Sequence, residues 1–259
     1  MSSVLPNQAE SAGGFVHPSL PSPAPSSIFS SSTATPSLPR QRNHPLVPGS
    51  SKETSVINHV DSHILTINRR HAKKFSSSFA DQADADNGYE RFREVAKDIE
   101  TIVDVLWVSG TPSLQIPYLI SLAGLINSYL PDFPFSPRAT FRLMRKMDSI
   151  FASLLQGEDV ETGAILPGFG GRRGIVSTTE KVRIKSITES TRIIIVDVQG
   201  RDNVEEDDDL DDVADDDDND EAGYSDYGDA LGRWELESAR VYERTIQLLG
   251  DELGKQEVS

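Results

Sequence analysis

Cysteine is absent from the 259 residues. That excludes disulfides and thiolate chemistry, and it weakens any zinc site, since histidines and carboxylates alone would have to ligate the metal. Long hydrophobic runs are missing too. The most apolar stretch, Leu114 to Ile126, is interrupted by Pro117 and Gly124. It falls short of the ~20 residues of a bilayer span, so it reads as a buried helix and no membrane is expected as a partner. The first residues show neither a basic patch nor a continuous apolar run. No secretory signal is expected, and the reading is of an intracellular protein, nuclear or cytoplasmic.

Lysine is absent from residues 1–50, which hold nine of the fifteen prolines and twelve serines. Such a segment buries too little apolar surface to offset chain entropy, so disorder is expected there. The most telling absence lies later. Between Asp202 and Gly232 there is no Lys or Arg, while sixteen side chains are Asp or Glu. That window carries the whole formal charge of −16 and leaves 25 acidic against 25 basic groups elsewhere. The acidity belongs to one segment and says nothing about the folded part.

What is present is a helical middle. Nearly all Ile, Leu, Val and Phe fall within residues 51–200, an ordinary length for one domain with its own core. The expected organisation is a disordered segment at 1–50, a helical domain at 51–200, and an acidic disordered linker at 201–228. A C-terminal amphipathic helix at 229–250 and a tail at 251–259 complete it. The fold class expected is all-α: a bundle of about five helices plus a C-terminal helix.

Periodicity places the helices. The first follows Ser51, with Val56, Val60, Ile64, Ile67, His71, Phe75 and Phe79 on one face. The second is expected to open at Asn87 with Glu90 completing a capping box, and its stripe runs Tyr89, Phe92, Val95, Ile99, Ile102 and Leu106. The third, about Ser113 to Leu130, is apolar almost all round, which is the mark of a central helix. The fourth opens at Ser136-Pro137 and closes at Gly157. Its Phe141, Met144, Met147, Ile150, Phe151 and Leu154 are expected inside, and Arg138, Arg142, Arg145 and Lys146 outside. Residues 181–198 are ambiguous, because β-branched Ile193 to Val196 favours a strand. The capping box Ser177-Thr178-Thr179-Glu180 and the lack of a partner strand decide for a helix.

Catalytic chemistry finds little support. His59 and His63 stand one turn apart with Asp61 between them, but no further ligand is obvious, and ordinary surface histidines are the better reading. The Gly168 to Gly174 loop follows a helix and lacks a closing Lys-Ser/Thr pair, so it is not a dinucleotide or phosphate loop of a known kind. No nucleophile elbow or paired carboxylate stands out. Neither enzyme, cofactor nor metal is expected.

Interaction is the remaining class. Basic residues cluster at Arg69, Arg70, Lys73 and Lys74, again at Arg138, Arg142, Arg145 and Lys146, and again around Arg172 and Arg173. Near-neutral balance in the middle of the chain makes a solvated face the first reading of these clusters, and direct nucleic-acid binding is disfavoured. A patch for acidic partners is the alternative. The acidic run includes Asp215, Asp216, Asp217 and Asp218 and is followed by Tyr224 and Tyr227. Such mixed strings lay aromatic rings on basic, partly apolar protein surfaces. The candidate partner-binding residues are therefore Arg69, Arg70, Lys73, Lys74, Arg142, Arg145, Arg172, Arg173, Asp215 to Asp218, Tyr224 and Tyr227.

Several segments resemble a fungal family of accessory subunits of general transcription factor IIH. They are Asn58-His59-Val60-Asp61, Ile67-Asn68-Arg69-Arg70, Tyr89-Glu90-Arg91-Phe92, Asp98-Ile99 through Trp107, and Gln115-Ile116-Pro117-Tyr118-Leu119-Ile120. The resemblance continues through Phe141 to Leu155 and ends near Val198, leaving the flanks outside. It implies a non-catalytic, all-helical nuclear protein that associates with the DNA-translocase subunit of the factor, or another core subunit, and with its release. It carries over no functional residue. The competing expectation is an acidic chaperone or adaptor for histones or recombination proteins.

Overall fold

The computed structural model describes residues 38–74, 88–170, 174–201 and 227–256. Seven α-helices follow in order: α1 Ser51–Lys74, α2 Phe92–Ser109, α3 Pro112–Tyr129, α4 Pro137–Gln156, α5 Thr178–Gln199, α6 Tyr227–Arg240 and α7 Glu243–Gln256. A single 3-10 turn, Leu130–Asp132, follows α3. Among the described residues no strand forms, and the all-α expectation holds. The ambiguous segment is helix α5, opened by the capping box: Ser177 Oγ accepts from Glu180 N–H while Glu180 Oε2 accepts from Ser177 N–H. That box satisfies two otherwise orphaned donors and outweighs the β-branched run.

Packing follows the apolar stripes. α2 lies between α1 and α4 and also touches α3, α3 packs on α5, and α7 packs on α4 and α5. The stripe Phe92, Val95, Ile99, Ile102, Val103 and Leu106 is fully buried. Each such side chain contributes about 1.5–3 kcal/mol when removed from water.

The central helix is α4, a correction to the expectation for α3. Every residue from Lys146 to Leu154 is buried. Of its polar members Lys146 was expected outside, but it has a partner inside: Lys146 Nζ lies 2.7 Å from Asp104 Oδ1, and Ser153 Oγ accepts from Val160 N–H at 3.1 Å. Burying such groups is tolerable only when they are paired.

Three boundaries also differ. α2 opens at Phe92 with Arg91 at the cap and no side-chain cap bond, so Glu90 is no capping residue, and Asn87, Phe75 and Phe79 lie outside the described residues. The C-terminal region is two helices rather than one, and α7 runs past the expected tail boundary at 251. The break falls at Val241–Tyr242, both buried, where Tyr242 takes φ 54°. The cause is tertiary. Asp148 of α4 accepts from Thr245 N–H at 2.9 Å, Thr245 Oγ1–H at 2.6 Å and Arg244 N–H at 3.3 Å. These are the donors an N-cap side chain normally satisfies. A carboxylate three helices away in sequence therefore caps α7, and the Tyr242 ring turns inward beside Phe151.

Residues 38–50, expected to be disordered, are seated. Trp107 Nε1–H donates to Pro39 O at 3.0 Å, Arg42 N–H to Val108 O at 3.1 Å, and Leu46 N–H to Thr111 Oγ1 at 2.9 Å. This strap runs along the turn between α2 and α3. Close approach requires glycine at two places. A side chain on Gly110 (φ 56°) would lie 3.1 Å from Pro167, and one on Gly168 (φ 80°) would lie 2.9 Å from Pro112 and 3.0 Å from Pro45.

Candidate interaction surfaces

Four of the basic residues singled out from sequence, Arg70, Arg142, Arg145 and Lys146, are engaged with acids of the same fold. Arg70 donates to Asp98 at 2.6 Å, approaches Glu94 and lies 3.9 Å over the Tyr89 ring. Tyr89 O–H donates to the same Asp98 oxygen at 2.6 Å. Arg142 holds Glu100 with two bonds of 3.1 and 3.0 Å. Arg145 meets Glu237 of α6 at 2.9 Å. Lys74 Nζ sits 4.0 Å over the Phe133 ring, and Lys73 is half-buried beside it in sequence. Arg69 is exposed. Arg172 and Arg173 lie outside the described residues. Two of the three clusters thus fasten helices together, and Lys146, expected outside, is 7% exposed.

The acidic run is held at both ends. Asp215 to Asp218 and Tyr224 lie outside the described residues, but Arg201 follows α5 and Tyr227 opens α6. These helices pack on each other: Ser238 Oγ–H donates to Gln199 Oε1 at 2.6 Å and Arg192 NH2 to Ala239 O at 3.2 Å. α6 is further fixed by Trp234, stacked on Phe141 at 5.6 Å and 12°. Residues 202–226 connect the end of α5 to the start of α6, and α6 meets the end of α5 through Ser238, near its own C-terminal end. The sequence left open whether the C-terminal helices dock on the bundle, and α6 and α7 pack on α4 and α5.

Exposed aliphatic side chains lie on α5 and α6. Val182, Ile193 and Val196 of α5 are 52%, 71% and 62% exposed, and Leu236 of α6 is 51% exposed. Ile193 and Val196, one turn apart, share the face of α5 opposite its buried Ile184, Thr191, Ile195 and Val198.

Perturbed titratable groups sit in helix joints. Burial, then the bond to Asp98, raises Tyr89. Burial, then the Asp61 bond, pushes Tyr118 up to about 12. Burial raises Asp148 and Tyr242 as well. His63 Nδ1 lies 2.8 Å from His59 O, an ordinary intrahelical contact. Among the described residues no group of three or more His, Asp or Glu is placed to hold a metal, and no helix is long and apolar enough to cross a membrane.

The described residues thus form a helical bundle in which several charged side chains pair across helix joints while aliphatic side chains of α5 and α6 stay exposed. Residues 88–250 match the model of a family described as subunit 11 of the general transcription factor TFIIH, and the chain belongs to that family. The matched span begins after Asn58–Asp61 and Ile67–Arg70, and it runs beyond Val198 through the acidic run into α7. The acidic run and the two C-terminal helices are thus inside the family's span, where the sequence had placed them in a flank. A protein of Schizosaccharomyces pombe described as uncharacterized is 27% identical over 133 residues, covering 49% of this chain and 68% of that protein. No solved structure matches the chain.

Proposed function

We propose that the chain is a non-catalytic, nuclear interaction subunit of TFIIH that binds the DNA-translocase subunit or another core subunit through its helical body. The observation that carries the reading is the family match over residues 88–250, which spans the bundle and the acidic run together. In this reading Ile193, Val196 and Leu236 supply apolar contact beside the α5–α6 joint. The acidic loop engages basic protein surfaces that DNA would otherwise hold, since like-charged competitors displace one another from a cationic groove. Asp215 to Asp218 and Tyr224 are the proposed contacts of the loop.

The test is co-purification from the native source. Three chains are compared: the full chain, the chain with residues 202–226 excised, and the double variant Ile193→Asp/Val196→Asp. Excision suits this fold better than truncation at residue 200, because α6 and α7 complete the packing of α4 and α5. The full chain is expected to retain TFIIH subunits and the double variant to lose them. If the full chain retains none, the assignment fails. If excision alone abolishes binding and the retained partners are histones or recombination proteins, the acidic-chaperone reading replaces it.

A further inference from the structure

The strap at residues 38–46 presents the one cluster of basic side chains, among the described residues, that its own fold leaves unneutralised. Arg40, Arg42 and His44 are exposed, and none has a carboxylate within ion-pair distance among those residues. The contrast with Arg70, Arg142, Arg145 and Lys146 is direct, since each of those meets a carboxylate. Arg40, Gln41, Arg42, Asn43 and His44 together line an open concavity of about 540 Å³. All five side chains carry N–H donors. Gln41 Nε2 in that wall is shielded from solvent and has no acceptor among the described residues.

The backbone behind these donors is fixed. Pro39 O and Arg42 N–H are bonded to Trp107 and Val108 of α2, and Leu46 is buried with its N–H on Thr111. Pro45 is wedged against Gly168. The two guanidinium groups are therefore carried on a rigid edge, so less chain entropy is lost when they bind.

We propose that this concavity is a receptor for a phosphomonoester carried on a partner protein, that is, a phosphorylated serine or threonine side chain. A carboxylate offers two oxygens, which one guanidinium fork already satisfies. Two forks and the donors of the exposed Asn43 and His44 exceed that capacity and match a dianion with three terminal oxygens. Nucleic acid fits less well. It presents a long line of singly charged phosphodiesters, and the strap offers only three basic side chains, Arg40, Arg42 and His44, to meet it. The inference does not depend on the TFIIH reading, since the strap lies outside residues 88–250.

Binding is read by fluorescence anisotropy with the full chain. The probes are labelled peptides with a central phosphoserine between randomised positions, the same mixture with serine, the same with glutamate, and an oligothymidylate. Inorganic phosphate, titrated in parallel, is followed at the Gln41 side-chain amide by NMR. The phosphoserine peptides are expected to bind at least about ten-fold tighter than the other three probes, a difference of one decade in Kd. Arg40→Gln/Arg42→Gln should remove that preference without moving the melting temperature, because both side chains are exposed. Phosphate should shift the Gln41 amide in the wild-type chain only. Equal affinity for all anions, tighter binding of the oligothymidylate, an unmoved Gln41 signal or a preference that survives the double substitution would each overturn the proposal.

Discussion

Replacing Asp148 tests whether one carboxylate on α4 holds the C-terminal helices in place. The side chain is 8% exposed and accepts from two backbone N–H groups of the first turn of α7 and from the fully buried Thr245 hydroxyl. Asp148→Ala removes all three acceptor contacts, and Thr245 Oγ1 keeps only the longer 3.3 Å contact to Asp148 O. Loss of a cap costs about 1–2 kcal/mol, and a buried donor left without a partner costs about 1–3 kcal/mol. The two effects overlap, so roughly 2–4 kcal/mol is expected, a large share of the 5–15 kcal/mol typical of a domain. Asp148→Asn keeps one acceptor oxygen and removes a charge that burial disfavours, so its cost at neutral pH should be about 1 kcal/mol or less.

The two variants also separate charge from hydrogen bonding. Burial raises the Asp148 pKa above the ordinary carboxylate value, against the lowering effect of its bonds to Thr245 and Arg244. A carboxyl whose folded pKa is raised contributes stability that is fully present below its unfolded pKa. That contribution is lost as pH rises through the folded pKa, because the folded state holds its proton longer. Relative to Asp148→Asn, the wild-type chain should therefore lose stability with rising pH from about pH 4 upward. Glu161 is raised by burial and by Asp159 and titrates in the same direction, which is why the reference is the Asn variant rather than a flat line. Urea unfolding at a series of pH values measures both effects. An Asp148→Ala cost within about 0.5 kcal/mol of zero, or a wild-type pH slope identical to that of Asp148→Asn, would refute the capping argument.

Trp107→Phe removes the bond to Pro39 O, so about 1 kcal/mol should be lost, with faster hydrogen exchange at the Arg42 amide and no change at the α4 amides. Ser177→Ala breaks the α5 capping box and should cost about 1 kcal/mol by urea unfolding; a cost near zero would mean that tertiary packing alone sets the start of α5. Trp234→Ala deletes the half-buried ring stacked on Phe141 and should cost about 2 kcal/mol. Exchange should rise first in α6, while α1 amides stay as in the parent chain.

The helices themselves were legible because their signals are local. The Ser177–Glu180 box, Pro137 at the first position of α4 and the 3.6-residue stripe of α2 need no knowledge of the rest of the chain. What escaped depends on partners distant in sequence. Lys146 and Asp148 look like surface residues until Asp104 and Thr245 are placed beside them, and so the sequence pointed to α3 as the centre instead of α4. The break at Tyr242 carries no Gly or Pro signal, because the capping group belongs to another helix. The strap was hidden by its own composition. Serine and proline before it suggested disorder, yet Leu46, Pro39 and Pro45 find their places through Trp107, Thr111 and Gly168. Of the candidate interaction residues, Arg70, Arg142 and Arg145 carry ion pairs within the fold that charge clusters in sequence do not reveal, because the acids stand on other helices.

Closure of the acidic run has an electrostatic consequence. Fifteen acids and no bases lie within residues 202–226, which connect two helices that pack on each other, α5 and α6. Bringing the ends of a loop of this length together costs chain entropy that grows only slowly with length. Like charges add repulsion that resists closure and is screened by salt, with a Debye length of about 30 Å at 0.01 M and about 8 Å at 0.15 M. The α5–α6 joint should therefore tighten as salt rises, the reverse of the behaviour expected from the Arg145–Glu237 pair that ties α6 to α4. By reciprocity, a cationic surface that neutralises the run should also stabilise the docking of α6 and α7, and a well-docked pair should bind that surface more tightly. The control is a chain in which every Asp and Glu of residues 202–226 is replaced by Asn or Gln, so length is kept and charge removed. Hydrogen exchange of α6 amides should slow with salt in the parent and not in this variant. If both respond alike, repulsion within the run does not load the joint, and the acidic segment is energetically independent of the helices that anchor it.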